Sequence, residues 1–331
     1  MERFALAAAV VLGFALTAAL CSLFVPLRRV LERREQQQQP VQSEQPRPAP
    51  LRAPLWGGLC AAAGTVAAVG VGWLAACVGQ PELLGSEGQL MTRLLTALAG
   101  SLAFGAVGLA EDVARMRSPA ALGLRRDVRL LLEALAAAFV LLLLRAAGCL
   151  PRGLGVPGAG YVLLGSAVPF LWAVLMVALA ECARIAERDE GTVCGAAFVA
   201  MLALMMVEAG LGVSGLAVLP GALAGALVAL GLWAFPPARL GVGCCGSLLA
   251  AGAIGCIPLS LDMTSLTVPL ALPFWAAGGL LAAQLLCAKR TGKPLRCWVK
   301  KHKMSPETVF LCSFALSAVG YVLALALLRW C

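Results

Sequence analysis

Carboxylate side chains stand together at two places where long apolar stretches of the sequence end. Glu111 and Asp112 are adjacent and follow one such stretch. Glu187 and Glu190 follow another, three residues apart, so they share one face if this segment is helical. Carboxylate oxygens are the hard ligands that Mg²⁺ prefers in proteins. The spacing therefore indicates metal-assisted chemistry, although charges at helix ends also serve simply to anchor and orient helices.

A glycine-rich segment and a basic segment follow later apolar stretches. Residues 237–248 read PARLGVGCCGSL and carry the glycines that a tight turn or a close backbone approach requires. Residues 289–303 hold a run of lysines and arginines together with His302, the only histidine of the chain. Phosphate groups pair with cations, and hard oxygens hold the metal that accompanies them. These segments and the two carboxylate pairs together predict Mg²⁺-dependent phosphate chemistry.

The elements that must position these residues are predicted to be membrane-spanning helices. The chain has 331 residues, of which 61% are apolar and 13% charged, whereas soluble domains average about 25% charged residues. Because backbone groups in lipid must satisfy one another within a segment, long runs of Leu, Ala, Val and Gly favour helices over barrel strands. The sequence therefore predicts an all-α polytopic protein with about ten spans. They are expected at residues 4–25, 55–79, 91–110, 128–148, 161–181, 192–209, 214–235, 246–262, 267–288 and 307–328.

Basic residues predict the orientation of this bundle. Most of the 26 lysines and arginines fall in alternate loops, and such loops are retained in the cytoplasm. Both termini are then expected outside. Attraction to anionic lipid explains the net charge of +9, so no nucleic-acid partner is expected. We expect one integral membrane domain, 1–331, with a flexible, polar and proline-rich cytoplasmic loop at 26–54. The other cytoplasmic loops are expected at 111–127, 182–191, 236–245 and 289–306.

Six short motifs occur at the expected cytoplasmic helix ends in a specific order. The chain thereby resembles the phospho-N-acetylmuramoyl-pentapeptide transferases, within the polyprenyl-phosphate N-acetylhexosamine-1-phosphate transferases of glycosyltransferase family 4. PLWGGL and GLAEDVAR are similar to the family's PTMGGI and GFxDDxxK, and GLRRDVRLLLE is similar to GLxxxxKLxxQ. ECARIAERDEG aligns with the family's NAxNLTDGLDG, and PARLGVGCCGSL aligns with PAKVFMGDTGSL. KRTGK is identical to the KRTGK of the family. These motifs lie at 54–59, 108–115, 123–133, 181–191, 237–248 and 289–293.

The resemblance implies a fold, a reaction and a set of partners. The family has ten transmembrane helices, both termini outside, and an active site on the cytoplasmic face. Its members move a sugar phosphate from a UDP-activated amino sugar, of the UDP-N-acetylmuramoyl-pentapeptide type, to undecaprenyl phosphate and release UMP. The cofactor implied is Mg²⁺. The location implied is the bacterial cytoplasmic membrane, in cell-wall precursor synthesis, and a homodimer is left open.

The resemblance also implies roles for individual residues. The family's carboxylate positions, treated as catalytic, correspond here to Glu111, Asp112, Glu187 and Glu190. The metal is expected at Glu190 and at the position of Cys244, where the family has a metal-ligating Asp. Substrate phosphates and the nucleotide sugar are expected to meet four further residues, which are Arg129, Arg184, Lys293 and His302.

Departures from the family motifs leave three functions open. The soft thiol of Cys244 is a poor ligand for hard Mg²⁺. Glu187 and Glu190 are each one methylene longer than the Asp residues of the family motif. The family's cluster of three histidines is reduced to His302. The chain is expected to be a divergent transferase with reduced or lost activity. The alternative is an inactive paralogue that binds polyprenyl phosphate or acts as a structural partner in envelope assembly. A transporter is disfavoured, because the expected helix centres carry few ionisable residues.

Overall fold

The protein is a bundle of helices with one short hairpin. The computed structural model describes residues 2–38, 56–79, 88–117, 123–151, 153–156, 160–163, 165, 167–187, 191–213, 215–235, 239–291 and 306–330. The helices are α1 (Glu2–Gln38), α2 (Gly57–Gly79), α3 (Gly88–Arg117), α4 (Arg126–Ala146), α5 (Ala167–Ala186), α6 (Thr192–Gly210), α7 (Val218–Ala234), α8 (Gly243–Ser260), α9 (Thr267–Leu270), α10 (Leu272–Thr291) and α11 (Pro306–Trp330). A 3₁₀ turn, Thr264–Leu266, precedes α9.

The expectation of a polytopic helical membrane protein is confirmed. Within the described part of the chain, seven helices are long and apolar enough to cross a membrane, or eight if α9 and α10 form one bent span. Helix α7 coincides with an expected span but has only 17 residues. Helix α4 also coincides with one, but charged residues interrupt its apolar sequence. The count of ten spans and the outward position of both termini stay predictions.

Several segments differ from the sequence expectation, and the loop expected at 111–127 begins with the last turns of α3, which ends at Arg117. Helix α1 continues to Gln38, so the first part of the loop expected at 26–54 is helical, and 39–55 lie outside the described residues. The span expected at 161–181 begins instead with a strand. This strand, β2 (Gly160–Leu163), pairs antiparallel with β1 (Gly153–Val156), with Gly153 opposite Leu163. Helix α5 starts only at Ala167 and runs to Ala186.

The expected span at 267–288 is bent by 64° between α9 and α10. Pro273 lies in the first turn of α10 and has no N–H to donate back to the carbonyl of Pro269, so the helix cannot run continuously through this point. A side chain at Gly320 of α11 would overlap that carbonyl, so α11 packs closely against the bend.

Helix α8 forms the centre of the bundle, and it is buried over its whole length. It packs antiparallel to α3, since Gly100 near the middle of α3 meets Cys256 and Gly108 near its end meets Cys244. Small residues at the contact let two backbones approach closely, which is how helices gain packing energy in lipid. On another side of α8, Trp172 of α5 donates from Nε1 to the carbonyl of Gly255 at 3.3 Å. The last turns of α3 are thereby placed beside the first turn of α8.

Candidate functional site

Charged side chains from α3, α4 and the end of α5 meet at one end of the bundle, the end at which α3 and α5 finish and α4 and α8 begin. We call this the site end. All of these residues lie between Glu111 and Cys245 in the sequence, and most are largely buried. Buried charges require partners, because an unpaired charge loses its hydration without compensation. The pairs among them therefore define the chemistry of the site.

Asp112 of α3 is completely buried and binds the first turn of α8. Its Oδ1 accepts a hydrogen bond from the N–H of Cys244 at 3.0 Å, and its Oδ2 accepts one from the N–H of Cys245 at 2.9 Å. The first N–H groups of a helix have no partner within the helix, and they carry the positive end of its dipole. Asp112 therefore acts as an N-terminal cap that α3 supplies to α8.

Glycines fix the loop that leads into α8. The N–H groups of Gly57 and Gly58, at the start of α2, donate to the carbonyls of Gly241 and Val242 at 3.2 and 2.9 Å. A Cβ at Gly58 would overlap the backbone N of Gly246, and one at Gly108 would overlap the carbonyl of Cys244. The GG and GLAED segments therefore hold the glycine-rich loop from two sides.

Glu187 joins Asp112 and Cys244 in a compact triad. The Cys244 thiol donates to Oε2 of Glu187, with Sγ and Oε2 2.9 Å apart. One ligand atom from each of Asp112, Glu187 and Cys244 lies within 4.8 Å of the other two. The Glu187 side chain is 11% exposed whereas that of Asp112 is 0% exposed, so Glu187 is the carboxylate of the triad that can reach a ligand.

Arg115 faces the triad from the last turn of α3. Its NH2 donates to Oε1 of Glu111 at 2.8 Å, as the i, i+4 spacing on a helix allows. Its NH1 lies 3.5 Å from Oε2 of Glu187 and 4.0 Å from Oδ1 of Asp112. One guanidinium thus neutralises parts of three carboxylates.

A second group of ion pairs lies beside the first and is centred on Glu181. Its Oε1 accepts from Nε of Arg129 at 2.8 Å, and its Oε2 accepts from NH2 of Arg184 at 2.6 Å. Arg129 connects the two groups, because its NH1 lies 3.6 Å from Oε1 of Glu111. Glu133 is fully buried and forms no hydrogen bond among the described residues, with Nε of Arg129 4.0 Å away.

The donor set of the triad does not suit Mg²⁺. This ion demands near-octahedral oxygen ligation at about 2.0–2.1 Å and usually retains several waters. Here one of three donors is a soft thiol, both oxygens of Asp112 already accept backbone hydrogen bonds, and Arg115 brings a permanent positive charge to Glu187. The triad as it stands is therefore a poor Mg²⁺ site.

The site end contains six of the site residues predicted from the sequence: Glu111, Asp112, Arg129, Arg184, Glu187 and Cys244. Glu190, Lys293 and His302 lie outside the described residues. The structure adds roles for Arg115, Glu133 and Glu181, which stand in the motifs GLAEDVAR, GLRRDVRLLLE and ECARIAERDEG but were not predicted as site residues. The spacings Glu111 to Arg115 and Glu181 to Arg184 are those of ion pairs on one helix face, and they could have indicated two of these three. The pairing of Glu181 with Arg129, 52 residues apart, has no such signal.

Two comparisons with known proteins each match about half of the chain. Residues 94–262 match the protein family described as Glycosyl transferase family 4. A 170-residue stretch is 31% identical to a phospho-N-acetylmuramoyl-pentapeptide-transferase of Desulforudis audaxviator (strain MP104C), covering 48% of this chain and 50% of that protein. The aligned stretch thus spans about half the length of this relative. The family match contains all the charged residues of the site end described above.

Proposed function

The chain belongs to glycosyl transferase family 4, and from this premise we propose that it acts on a polyprenyl phosphate and a UDP-activated amino sugar. The reaction is transfer of the sugar phosphate to the lipid phosphate with release of UMP, as the similarity to a phospho-N-acetylmuramoyl-pentapeptide-transferase suggests. The activity is reduced relative to that of a member with an intact Asp at the position of Cys244.

The observation that carries this proposal is the convergence of acids and guanidinium groups at the site end. Arg115, Arg129 and Arg184 come from three different helices and lie within one network of ion pairs. Guanidinium groups match the geometry of phosphate oxygens and form charge-assisted hydrogen bonds with them. A cluster of this composition, at the end of a membrane bundle, suits a substrate whose phosphate lies in water and whose chain lies in lipid.

The proposed reaction is an in-line phosphoryl transfer. An oxygen of the lipid phosphate attacks the β-phosphorus of the UDP-sugar, the bond from that phosphorus to the bridging oxygen breaks, and UMP leaves with that oxygen. Little covalent work is needed from the protein, so positioning and charge neutralisation supply most of the acceleration. Arg129 and Arg184 bind the phosphates and are held in place by Glu181. Asp112 positions α8, and Glu187 is the carboxylate that meets the substrate.

The remaining predicted residues complete this proposal. Glu111 orients Arg115. Lys293 and His302 are proposed to contact the nucleotide sugar or its phosphates, and Glu190 is proposed to act with the catalytic carboxylates. The site end is proposed to face the cytoplasm of a bacterium, with both termini outside, because arginines cluster after the apolar segments that end there.

A second function is favoured by one specific observation. Cys244 occupies the position at which the family has a metal ligand, and its thiol is engaged with Glu187. A chain with this site can bind the lipid phosphate without transferring anything to it. It would then serve as a binding or structural partner in envelope assembly.

The test is UMP release by purified full-length protein in detergent, with UDP-N-acetylmuramoyl-pentapeptide and undecaprenyl phosphate as substrates. Slow release that needs both substrates and is lost in Glu187→Gln supports the transferase. Saturable binding of the lipid phosphate without release supports the second function. Absence of both release and binding contradicts the proposal as a whole.

A further inference from the structure

Arg115 differs from the other two arginines at the site end in its exposure and in the groups that its guanidinium faces. Its side chain is 24% exposed, compared with 16% for Arg184 and 8% for Arg129, so it is the most accessible of the three. It is also the guanidinium that faces the Asp112, Glu187 and Cys244 triad. An arginine keeps its charge at any pH that proteins tolerate. The triad therefore carries a permanent cation of its own.

The two ends of this guanidinium are engaged differently. NH2 makes a short hydrogen bond of 2.8 Å to Glu111, which fixes the orientation of the group. NH1 lies 3.5 Å from Glu187 and 4.0 Å from Asp112, distances that are too long for strong hydrogen bonds. NH1 is thus the end with hydrogen-bonding capacity left for an incoming anion.

The position of Arg115 also disfavours binding of a divalent metal ion at the triad. A metal ligated by Glu187 would lie within about 6 Å of NH1, given a usual metal–oxygen distance. The ion would compete with Arg115 for Glu187, with two backbone N–H groups for Asp112, and would find a thiol as its third ligand. Each of these features is independent of the others, and all act in the same direction.

We propose that Arg115 is the resident cation of this site in place of a divalent metal, and that it binds the phosphate group of the substrate directly and without metal. This inference deepens the proposed function, and it rests on that function only for the identity of the phosphate ligand. A polyprenyl phosphate and free phosphate offer the same oxygens, so the experiment separates the two sources.

The first part of the experiment measures metal binding alone. Mn²⁺, as a paramagnetic substitute for Mg²⁺, is titrated into the full chain in detergent and followed by electron paramagnetic resonance. We expect no saturable binding to the wild-type chain up to the low millimolar range. The double variant Arg115→Gln, Cys244→Asp should gain binding, because it removes the cation and restores a hard ligand. Stoichiometric binding to the wild type that Glu187→Gln abolishes would overturn the inference, as would a double variant that gains nothing.

The second part measures phosphate binding by calorimetry, with farnesyl phosphate as the probe and farnesol and inorganic phosphate as comparisons. Affinity for farnesyl phosphate should agree within about twofold between buffers containing EDTA and Mg²⁺. Arg115→Gln should weaken it by about tenfold to a hundredfold, the usual effect of losing a hydrogen bond to a charged group. Arg115→Lys should retain part of the affinity. Arg117→Gln is the matched control, since Arg117 is exposed on the same helix turn.

The outcomes separate this inference from the proposed function. Binding that appears only with Mg²⁺ overturns the inference and leaves the proposed function in place. Equal loss of affinity in Arg115→Gln and Arg115→Lys, with lowered thermal stability in both, indicates a structural role and also contradicts it. Absence of farnesyl phosphate binding in every buffer contradicts the proposed function, and the Mn²⁺ titration then decides the inference by itself. Tighter binding of inorganic phosphate than of farnesyl phosphate identifies free phosphate as the ligand.

Discussion

The carboxylate of Asp112 accepts a hydrogen bond from the backbone N–H of Cys244, 132 residues further along the chain. Its other oxygen accepts from the next N–H. An acid that stands in the motif GLAEDVAR is therefore also the cap of α8, the helix that is buried over its whole length. The effect of replacing Asp112 on protein stability can therefore be measured separately from its effect on activity.

Replacement of Asp112 should destabilise the protein. Asp112→Ala leaves two buried N–H groups at the start of α8 without a partner, and it should lower the free energy of unfolding by about 2 kcal/mol or more. Asp112→Asn should cost less, because one oxygen acceptor remains. Thermal unfolding in detergent measures both. Asp127→Asn is the control, since Asp127 is exposed in the first turn of α4. A melting temperature unchanged in Asp112→Ala would disprove the capping role.

The close approach of α2 to the start of α8 can be tested with glycines on one helix. Gly58→Ala places a Cβ against the backbone N of Gly246 and should destabilise by about 1–3 kcal/mol. Gly70→Ala, in the same helix, meets nothing within 4 Å and should be neutral or stabilise by up to about 1 kcal/mol. Similar melting temperatures for the two variants would show that α2 does not pack there as described.

Cys244→Asp should raise Mg²⁺-dependent UMP release above that of the wild-type chain. It restores a hard oxygen to the triad, which favours Mg²⁺. The gain should be partial, since Glu187 keeps its longer side chain and Arg115 keeps its charge. UMP release from UDP-N-acetylmuramoyl-pentapeptide and undecaprenyl phosphate is the measurement, with Cys244→Ser as the matched variant. Robust wild-type turnover with Mg²⁺, unchanged in Cys244→Ser, would mean that another carboxylate holds the ion.

Removing the charge of Glu181 should lower the stability of the protein and raise its affinity for anions. Glu181→Gln keeps the shape of the side chain but leaves Arg129 and Arg184 without their shared anion, so the melting temperature should fall. Added phosphate should then raise it more in this variant than in the wild type, because two guanidinium groups are free to bind it. Glu307→Gln, at the exposed start of α11, is the control. An equal phosphate effect in the two proteins would contradict the idea that Glu181 holds phosphate-binding groups.

The orientation of the bundle is predicted from its basic residues and can be tested by cysteine labelling in cells. Membrane-impermeant reagents should reach cysteines introduced at 289–303 from the cytoplasmic side only, because lysine and arginine are retained there. The same result is expected for 26–54. Labelling of 289–303 from outside would reverse the orientation.

The helical membrane class, the positions of most helices and the family are readable from the sequence. Apolar runs such as 192–209 lie almost exclusively in helices because a segment in lipid must satisfy its own backbone groups, which is a local requirement. The limits of this reasoning appear at 160–163, where an apolar segment pairs as a strand, and at Pro273, where one expected span bends.

The positions of the charged groups along the chain were also set by the sequence, but their pairing was decided by the tertiary structure. The contact of Arg115 with Glu111 follows from helical spacing alone. The contacts of Asp112 with the start of α8, of Glu187 with Cys244 and of Arg129 with Glu181 depend on how far α3, α4, α5 and α8 slide and rotate against one another. Glycines that allow close backbone contact fix this placement. The energy of an ion pair depends on the distance between its charges, so a shift of about an ångström between helices changes it. Only the packed bundle therefore determines which cation each carboxylate meets.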